Sequence, residues 1–320
     1  MTNFGYTLMT EQSGPKELVG YAAGAERAGF DFAVSSDHFF PWLEEMGHSG
    51  YAWSMLGAVA HATERIELMT YVTCPTTRYH PAVVAQKAAT MGLLSDNRFL
   101  LGLGSGENLN EHVVGQGWPS AAVRQDKLIE AIEIIRRLHE GEQITWAGEH
   151  FRIDSAKIWD LPSVPVPIGA AVSGPSSVDK FAPLADHLVA VEPEAELITQ
   201  WDKAKPDSRK IGQLPICWGP DKDRAVQRAH ELFRWFGGGW HVNAELPTPV
   251  AFNDASQFVT TDDVASSIAC GPDLDELAES FRPFLAAGFT DVALVQIGDE
   301  SQTEFLTEIA PDLLTKLRAL

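Results

Sequence analysis

The stretch Asp31-Phe32-Ala33-Val34-Ser35-Ser36-Asp37-His38-Phe39-Phe40-Pro41-Trp42 decides how this chain is read. Its first part is a short apolar run, the pattern of a buried strand. Its second part follows at once with a carboxylate, an imidazole and an indole, so one strand end carries all three. In a (β/α)8 barrel the C-terminal strand ends are where chemistry is done. The expectation is a strand whose end holds His38 and Trp42 over the reacting centre of a bound redox cofactor.

Working outward, strand-like and helix-like segments alternate. Phe4–Met9 reads as a first strand, followed by a helix over Lys16–Ala28 that Gly29 caps. After Asp31–Ser35 come a helix over Ser54–Ala62, a third strand over Ile66–Cys74 stopped by Pro75, and a helix opened by Pro81 and ending at Leu94. Arg98–Leu103 is a fourth strand running into Gly104-Ser105-Gly106, and Leu128, Ile132, Ile135 and Leu138 stripe one face of a helix over Ala122–His139. Residues 143–159 read as an inserted hairpin turning at Ala147-Gly148.

Val166–Val172, His187–Val191, Ile211–Cys217 and Thr290–Ile297 complete eight strands, with helices over Asp223–Phe236 and up to Leu320. Residues 237–262, rich in Gly, Pro and Asn, read as an active-site excursion rather than a core element. Eight strands alternating with helices over this length predict a (β/α)8 TIM barrel, one domain over 1–320, with insertions after strands 4 and 7. A doubly wound sheet is the structural alternative.

Composition narrows the partners. Lys and Arg total 24 against 44 Asp and Glu, a formal net charge of −20, which repels nucleic acid and anionic membranes. An anionic cofactor is repelled too, so local donors must hold it. Cys74, Cys217 and Cys270 form no CxxC pair, and His48 and His61 show no metal-ligand spacing from His38, so no metal site is expected. The N-terminus lacks the basic-then-apolar pattern of a signal peptide, and no apolar run is long enough to span a membrane, so the cytoplasm is the expected compartment.

The second chemical stretch is Gly102-Leu103-Gly104-Ser105-Gly106-Glu107-Asn108-Leu109-Asn110-Glu111. Glu107 falls just past the fourth strand, on the same rim as His38. The glycines, Gly106 included, let backbone approach a flat ligand closely. They are no dinucleotide fingerprint, since the third glycine of G-x-G-x-x-G would fall at Glu107. A tight turn with a solvated glutamate, and a structural histidine at a strand end, are the plain readings of these residues. His38 and Glu107 together supply a base and an acid near one ring system. Cys74 either lines that site or is a small buried residue. Trp240, in Arg234-Trp235-Phe236-Gly237-Gly238-Gly239-Trp240, either covers a substrate pocket or makes an oligomer contact.

Ser36–Trp42, Thr76-Thr77-Arg78-Tyr79-His80-Pro81 and Gly104–Glu111 resemble motifs of the F420-dependent glucose-6-phosphate dehydrogenases, members of the luciferase-like barrel family that use the deazaflavin coenzyme F420. Ala170-Ala171-Val172-Ser173-Gly174-Pro175 resembles that family's phosphate loop. The resemblance implies hydride transfer between a substrate carbon and C5 of the deazaflavin. It implies that His38 takes the substrate hydroxyl proton, Trp42 packs over the reacting centre and Glu107 handles a proton near N1, with the roles of His38 and Glu107 open to sharing. Asp37 and Asn110 would contact the coenzyme. Tyr71-Val72 would form the non-prolyl cis bulge behind its ring, and backbone N–H groups at Ser173 and Gly174 would cradle its phosphate.

One departure bears on the substrate. Where the sugar-phosphate enzymes carry a phosphate-binding lysine after the sixth strand, the matching residue here is Glu194. A carboxylate repels phosphate, so the expected substrate is a small uncharged alcohol, sugar or ketone rather than glucose 6-phosphate. An FMN-dependent monooxygenase of the same barrel family and a non-catalytic cofactor-binding barrel are the alternatives. A homodimer is what the resemblance implies for assembly.

Overall fold

The computed structural model describes residues 2–320. Its strands are β1 (Asn3–Leu8), β2 (Phe32–Ser35), β3 (Glu67–Thr70), β4 (Phe99–Leu103), β5 (Ile144–Ala147), β6 (Arg152–Ala156), β7 (Ile168–Ala171), β8 (His187–Ala190), β9 (Lys210–Cys217), β10 (Ala269–Cys270) and β11 (Asp291–Gln296). Eight of them close into a parallel ring in the order β9-β11-β1-β2-β3-β4-β7-β8, with β8 pairing back to β9. The expected TIM barrel is therefore the architecture, and the doubly wound sheet is not.

The register shows how period-2 alternation builds it. Phe32 and Val34 of β2 point into the lumen with Met69, Leu100, Val189, Ile211 and Ala293. Ala33, Leu68, Phe99 and Leu101 point outward against the helices. A strand covered on both faces must be apolar throughout, which is why these strands read as continuous hydrophobic runs. Around them pack helices Pro15–Ala28, Ala52–Ala62, Pro81–Leu94 and Ala121–His139, each within two residues of expectation at its ends. Gly29 closes the first of these at φ 100°, the left-handed cap that glycine adopts freely.

Three expectations are corrected. The third strand stops at Thr70, four residues early, because the chain bulges at a cis Tyr71–Val72 peptide before Thr73 bridges back to Leu103. The helix after β9 ends at Phe233 and tightens into a 3-10 turn over Arg234–Gly238. Residues 237–262, to which the sequence reading assigns no element, are largely helical. Gly239–Asn243 is a short helix, and Pro249–Ser256 is a second, started by Thr248, which accepts from Ala251 N–H, and held by buried Phe252. The insertion after β4 is the expected hairpin, β5 and β6 paired antiparallel. Glu130 on helix Ala121–His139 fastens it, accepting from Trp146 Nε1, His150 N and Phe151 N at 2.8 to 3.1 Å.

No described helix is long and apolar enough to cross a membrane.

Candidate active site

Three strand ends meet at the C-terminal mouth of the barrel. β1 runs into Thr10–Ser13, β2 into Ser36–Trp42 and β4 into Gly104–Asn110. Gly102 allows β4 to lie close to β3, since a Cβ there would stand 2.0 Å from the Thr70 carbonyl oxygen. Gly106 turns the chain at φ 102° immediately before Glu107. His38 and Glu107, 69 positions apart in sequence by their numbering, are thereby brought together, with Nε2 to Oε2 at 3.4 Å.

His38 has a second carboxylate that the sequence reading missed. Its Nδ1 lies 3.2 Å from Glu11 Oε1 and 3.2 Å from the Phe40 carbonyl oxygen. Glu11 is 1% exposed and also accepts from the hydroxyls of Ser36 and Thr10. The imidazole thus sits between two glutamates with one edge toward each. Trp42 lies against it, ring centroids 4.7 Å apart, and stacks on Trp235 at 4.1 Å and 11°.

Burial pushes the Glu107 carboxyl above the ordinary glutamate range. His38 opposes that rise, Glu11 adds to it, and Asn110, donating from Nδ2 to Oε2 at 3.1 Å, opposes it. A carboxyl so placed holds its proton to higher pH than a solvated one. Burial likewise raises the Cys74 thiol, helped by Glu111 and Glu107, so it stays protonated.

Other predicted residues take different positions. Asp37 is 2% exposed and does not line the cavity. Its Oδ2 accepts from Trp53 Nε1 at 3.0 Å and Thr73 Oγ1 at 2.7 Å; its Oδ1 accepts from Tyr79 OH at 3.1 Å and Arg78 Nη2 at 3.2 Å. Four protein donors occupy it, so its side chain anchors the loop rather than facing a ligand. Asn110 is buried behind the wall too, its Oδ1 accepting from Phe39 N at 2.8 Å and Phe40 N at 3.4 Å. It ties the segment bearing His38 to Glu107.

Tyr71, Val72, Cys74, Gly106 and Ser173 do line one cavity of about 530 Å³, together with Glu11, His38, Trp42 and Glu107. Tyr71 is fixed there by its hydroxyl, which donates to the Ala190 carbonyl at 3.0 Å. Gly174 opens the helix Pro175–Phe181 outside the lining, and the N–H groups of Ser173 and Gly174 both donate to Ser177 Oγ, at 3.1 and 3.2 Å. Glu194 is exposed and off the cavity, whereas Glu192, two positions earlier, lines it. Strand β8 ends at Ala190, so Glu192 is closer to the mouth than Glu194, which precedes the next helix. Trp240 lines the cavity, and the same insertion adds Trp235 and Phe236. No lysine or arginine is among the described lining residues.

Comparison with known proteins agrees with this geometry. Residues 1–291 match the model of the luciferase-like monooxygenase family. An F420-dependent glucose-6-phosphate dehydrogenase of Amycolatopsis mediterranei (strain U-32) is 37% identical, covering all of both chains. An F420-dependent hydroxymycolic acid dehydrogenase of Mycobacterium tuberculosis is 36% identical over 84% of this chain and 76% of its own. A solved F420-dependent secondary alcohol dehydrogenase, in complex with an F420-acetone adduct, superposes with a TM-score of 0.90 at 28% identity over 99% of both chains. With a parallel barrel closed around these residues and full-length relatives at this identity, the chain belongs to the luciferase-like monooxygenase family.

Proposed function

We propose that this chain is a coenzyme F420-dependent oxidoreductase that moves a hydride between a hydroxyl- or carbonyl-bearing carbon of a small uncharged substrate and C5 of the deazaflavin. The observation that carries the reading is His38, held between Glu11 and Glu107 on the wall of an apolar cavity at the barrel mouth. Relatives named as F420-dependent support the same coenzyme.

The residues fit such a group. At about 530 Å³ the cavity lies within the ~300–1,000 Å³ typical of small-molecule sites. One wall is kept flat by Val72, Gly104 and Ala171; a Cβ on Gly104 would stand 2.6 Å from Val72 Cγ2, so that position has no room to project. Val72, Tyr71, Cys74 and Gly106 would back a planar ring. Its phosphate would bind at the start of helix Pro175–Phe181, beside Ser173, displacing Ser177 Oγ from the Ser173 and Gly174 N–H groups. Asp37 and Asn110 act from behind the wall by positioning His38 and Glu107.

When bound, the deazaflavin supplies a carbon centre that accepts or returns a hydride. In the oxidative direction His38 Nε2 takes the proton from the substrate hydroxyl as the carbonyl forms. Glu11 then stabilises the imidazolium through Nδ1–H, which an adjacent buried carboxylate does by direct charge. Glu107, protonated over a widened pH range, holds the second proton at the ring side, and Trp42 closes the substrate face. Among the described lining residues there is no lysine or arginine to pair with a phosphate, and Glu192 sits at the cavity rim. Glucose 6-phosphate is therefore not the proposed substrate.

We take residues 1–320 as one functional unit, a cytoplasmic homodimer; light scattering and cell fractionation test these two points. The function is tested by titration with F420, FMN and NADP, then by an alcohol and sugar-phosphate screen followed through deazaflavin absorbance. Tight F420 binding with alcohol-dependent absorbance loss is the expected result. FMN binding without F420 binding would point to a monooxygenase, and F420 binding without turnover of any alcohol to a silent carrier.

A further inference from the structure

Both chain neighbours of Glu107 are fixed by contacts that lead to Glu245. Asn108, which follows Glu107, donates from its backbone N–H to the Ala244 carbonyl at 2.9 Å and from Nδ2 to the Glu245 carbonyl at 2.9 Å. Gly106, which precedes it, lies against Trp118: a Cβ on Gly106 would stand 3.5 Å from Trp118 Cη2. The Trp118 indole in turn donates from Nε1 to Glu245 Oε2 at 2.7 Å.

Arg124, in the first turn of helix Ala121–His139, holds this glutamate in place. Its guanidinium is buried and lies 3.8 Å from the centre of the Trp118 ring. It donates from Nη1 to the Pro119 carbonyl at 2.6 Å and from Nη2 to Glu245 Oε1 at 3.1 Å. Among the described residues no other carboxylate pairs with it. An ion pair between two exposed groups contributes little, but this carboxylate neutralises a buried cation, and its removal leaves that charge unpaired. The far end of the same insertion, 234–256, is held on the His38 side. Arg234 pairs with Glu45 at 2.9 Å, and Trp235 stacks on Trp42. One insertion thus joins the loop after β2 to the loop after β4, and its Trp235, Phe236 and Trp240 line the cavity.

Resting on the F420 reading above, we infer that Glu245 is a positioning residue for the reaction: it clasps the insertion to the loop after β4 and so fixes the Glu107 carboxyl against His38. Glu245 is not among the residues that line the cavity, so it acts through Trp118 and Asn108 and not on a ligand.

The test uses Glu245→Leu and, keeping one acceptor oxygen, Glu245→Gln. Hydrogen exchange is followed by mass spectrometry with no coenzyme or substrate present. In Glu245→Leu, the amides of 104–118 and 236–248 are expected to exchange ~10-fold faster or more, with β1 and β11 unchanged, because the clasp opens locally. Faster exchange confined to the insertion, or no change, overturns the inference. With F420 and the alcohol that turns over fastest in the screen above, kcat is expected to fall ~10-fold or more while KM changes by less than ~3-fold, with Glu245→Gln between the two. The limb of the pH profile on which Glu107 loses its proton is identified by its absence in Glu107→Gln. In Glu245→Leu it is expected to move to lower pH, as water reaches a carboxyl that burial had raised. A general loss of stability lowers the active fraction without moving that limb. A raised KM with kcat and the limb unchanged would make the insertion only a wall for the substrate, and overturns the inference. Glu245→Gln decides each point if Glu245→Leu does not fold. If the unaltered protein binds no F420 or turns over no alcohol, the parent reading falls, and exchange alone decides whether Glu245 clasps the loop.

Discussion

At the scale of single residues, the site is an imidazole fixed between two carboxylates of unequal character. Glu11 is tied down by two hydroxyls and 1% exposed, so it orients His38 through Nδ1. Glu107 faces the cavity with its carboxyl raised by burial. His38→Ala and Glu107→Gln are each expected to keep F420 affinity while lowering turnover by ~10²-fold or more, the usual scale for a positioned proton-transfer group. Fluorescence titration and steady-state rates check the two halves separately, and full activity in either variant removes that residue from the mechanism. His38 and Glu107 were legible because each stands in a distinctive stretch after an apolar strand, Asp37-His38 before an aromatic run and Glu107 after a glycine turn. Glu11 was not: it lies three residues beyond β1, in a run of polar residues that reads as a turn. Only the closed ring, with β1 beside β2, shows that the turn faces His38.

At the scale of elements, the loops after β2, β3 and β4 are locked by one buried charge chain. Arg78 Nη2 donates to the Asp37 carbonyl at 2.5 Å and pairs with Asp37 Oδ1, while its backbone N–H donates to Glu111 Oε2 at 2.7 Å. Burial pushes the Glu111 carboxyl up to about 7, against the pull of Arg78 and with a further rise from Asp37 and Glu107. Between the unfolded value of 4.5 and about 7, the folded state keeps a proton that the unfolded chain releases. Stability therefore falls as pH rises through that window, by on the order of 2–3 kcal/mol for this group. Glu111→Gln does not titrate, so its Tm relative to the unaltered protein should rise from pH 5 to about pH 7 and then level off toward pH 8. A difference that stays flat across this range, measured by scanning calorimetry, would show that Glu111 is already ionised in the fold.

Elements also explain what sequence reading could and could not recover. Strands buried on both faces announce themselves as apolar runs, so all eight barrel strands were found. The bulge at Tyr71–Val72 was hidden inside such a run because Ile66–Cys74 stays β-like throughout; its position came from resemblance. The stretch 237–262 is assigned no element from sequence because its Gly, Pro and Asn content masks two short helices, the second held by buried Phe252. Glu194, singled out by resemblance, does not line the cavity while Glu192 two positions earlier does; nothing local in the sequence distinguishes the two, and where β8 ends decides which one faces the cavity.

At the scale of the whole molecule, charge opposes the proposed coenzyme. The net charge of −20 is joined at the cavity by Glu11, Glu107 and Glu192, with no lining lysine or arginine among the described residues. A phosphate-bearing ligand therefore approaches against a repulsive field whose reach is set by salt, ~30 Å at 0.01 M and ~8 Å at 0.15 M. Once seated, it is held by short-range hydrogen bonds and stacking, which salt screens little. The F420 association rate should accordingly rise by ~3-fold or more between 10 and 150 mM NaCl, while the dissociation rate changes by less than ~2-fold. Stopped-flow fluorescence resolves the two. An association rate that falls with salt would mean that a cationic patch steers the coenzyme in. Its phosphate would then have to bind beside that patch and not at the neutral start of helix Pro175–Phe181.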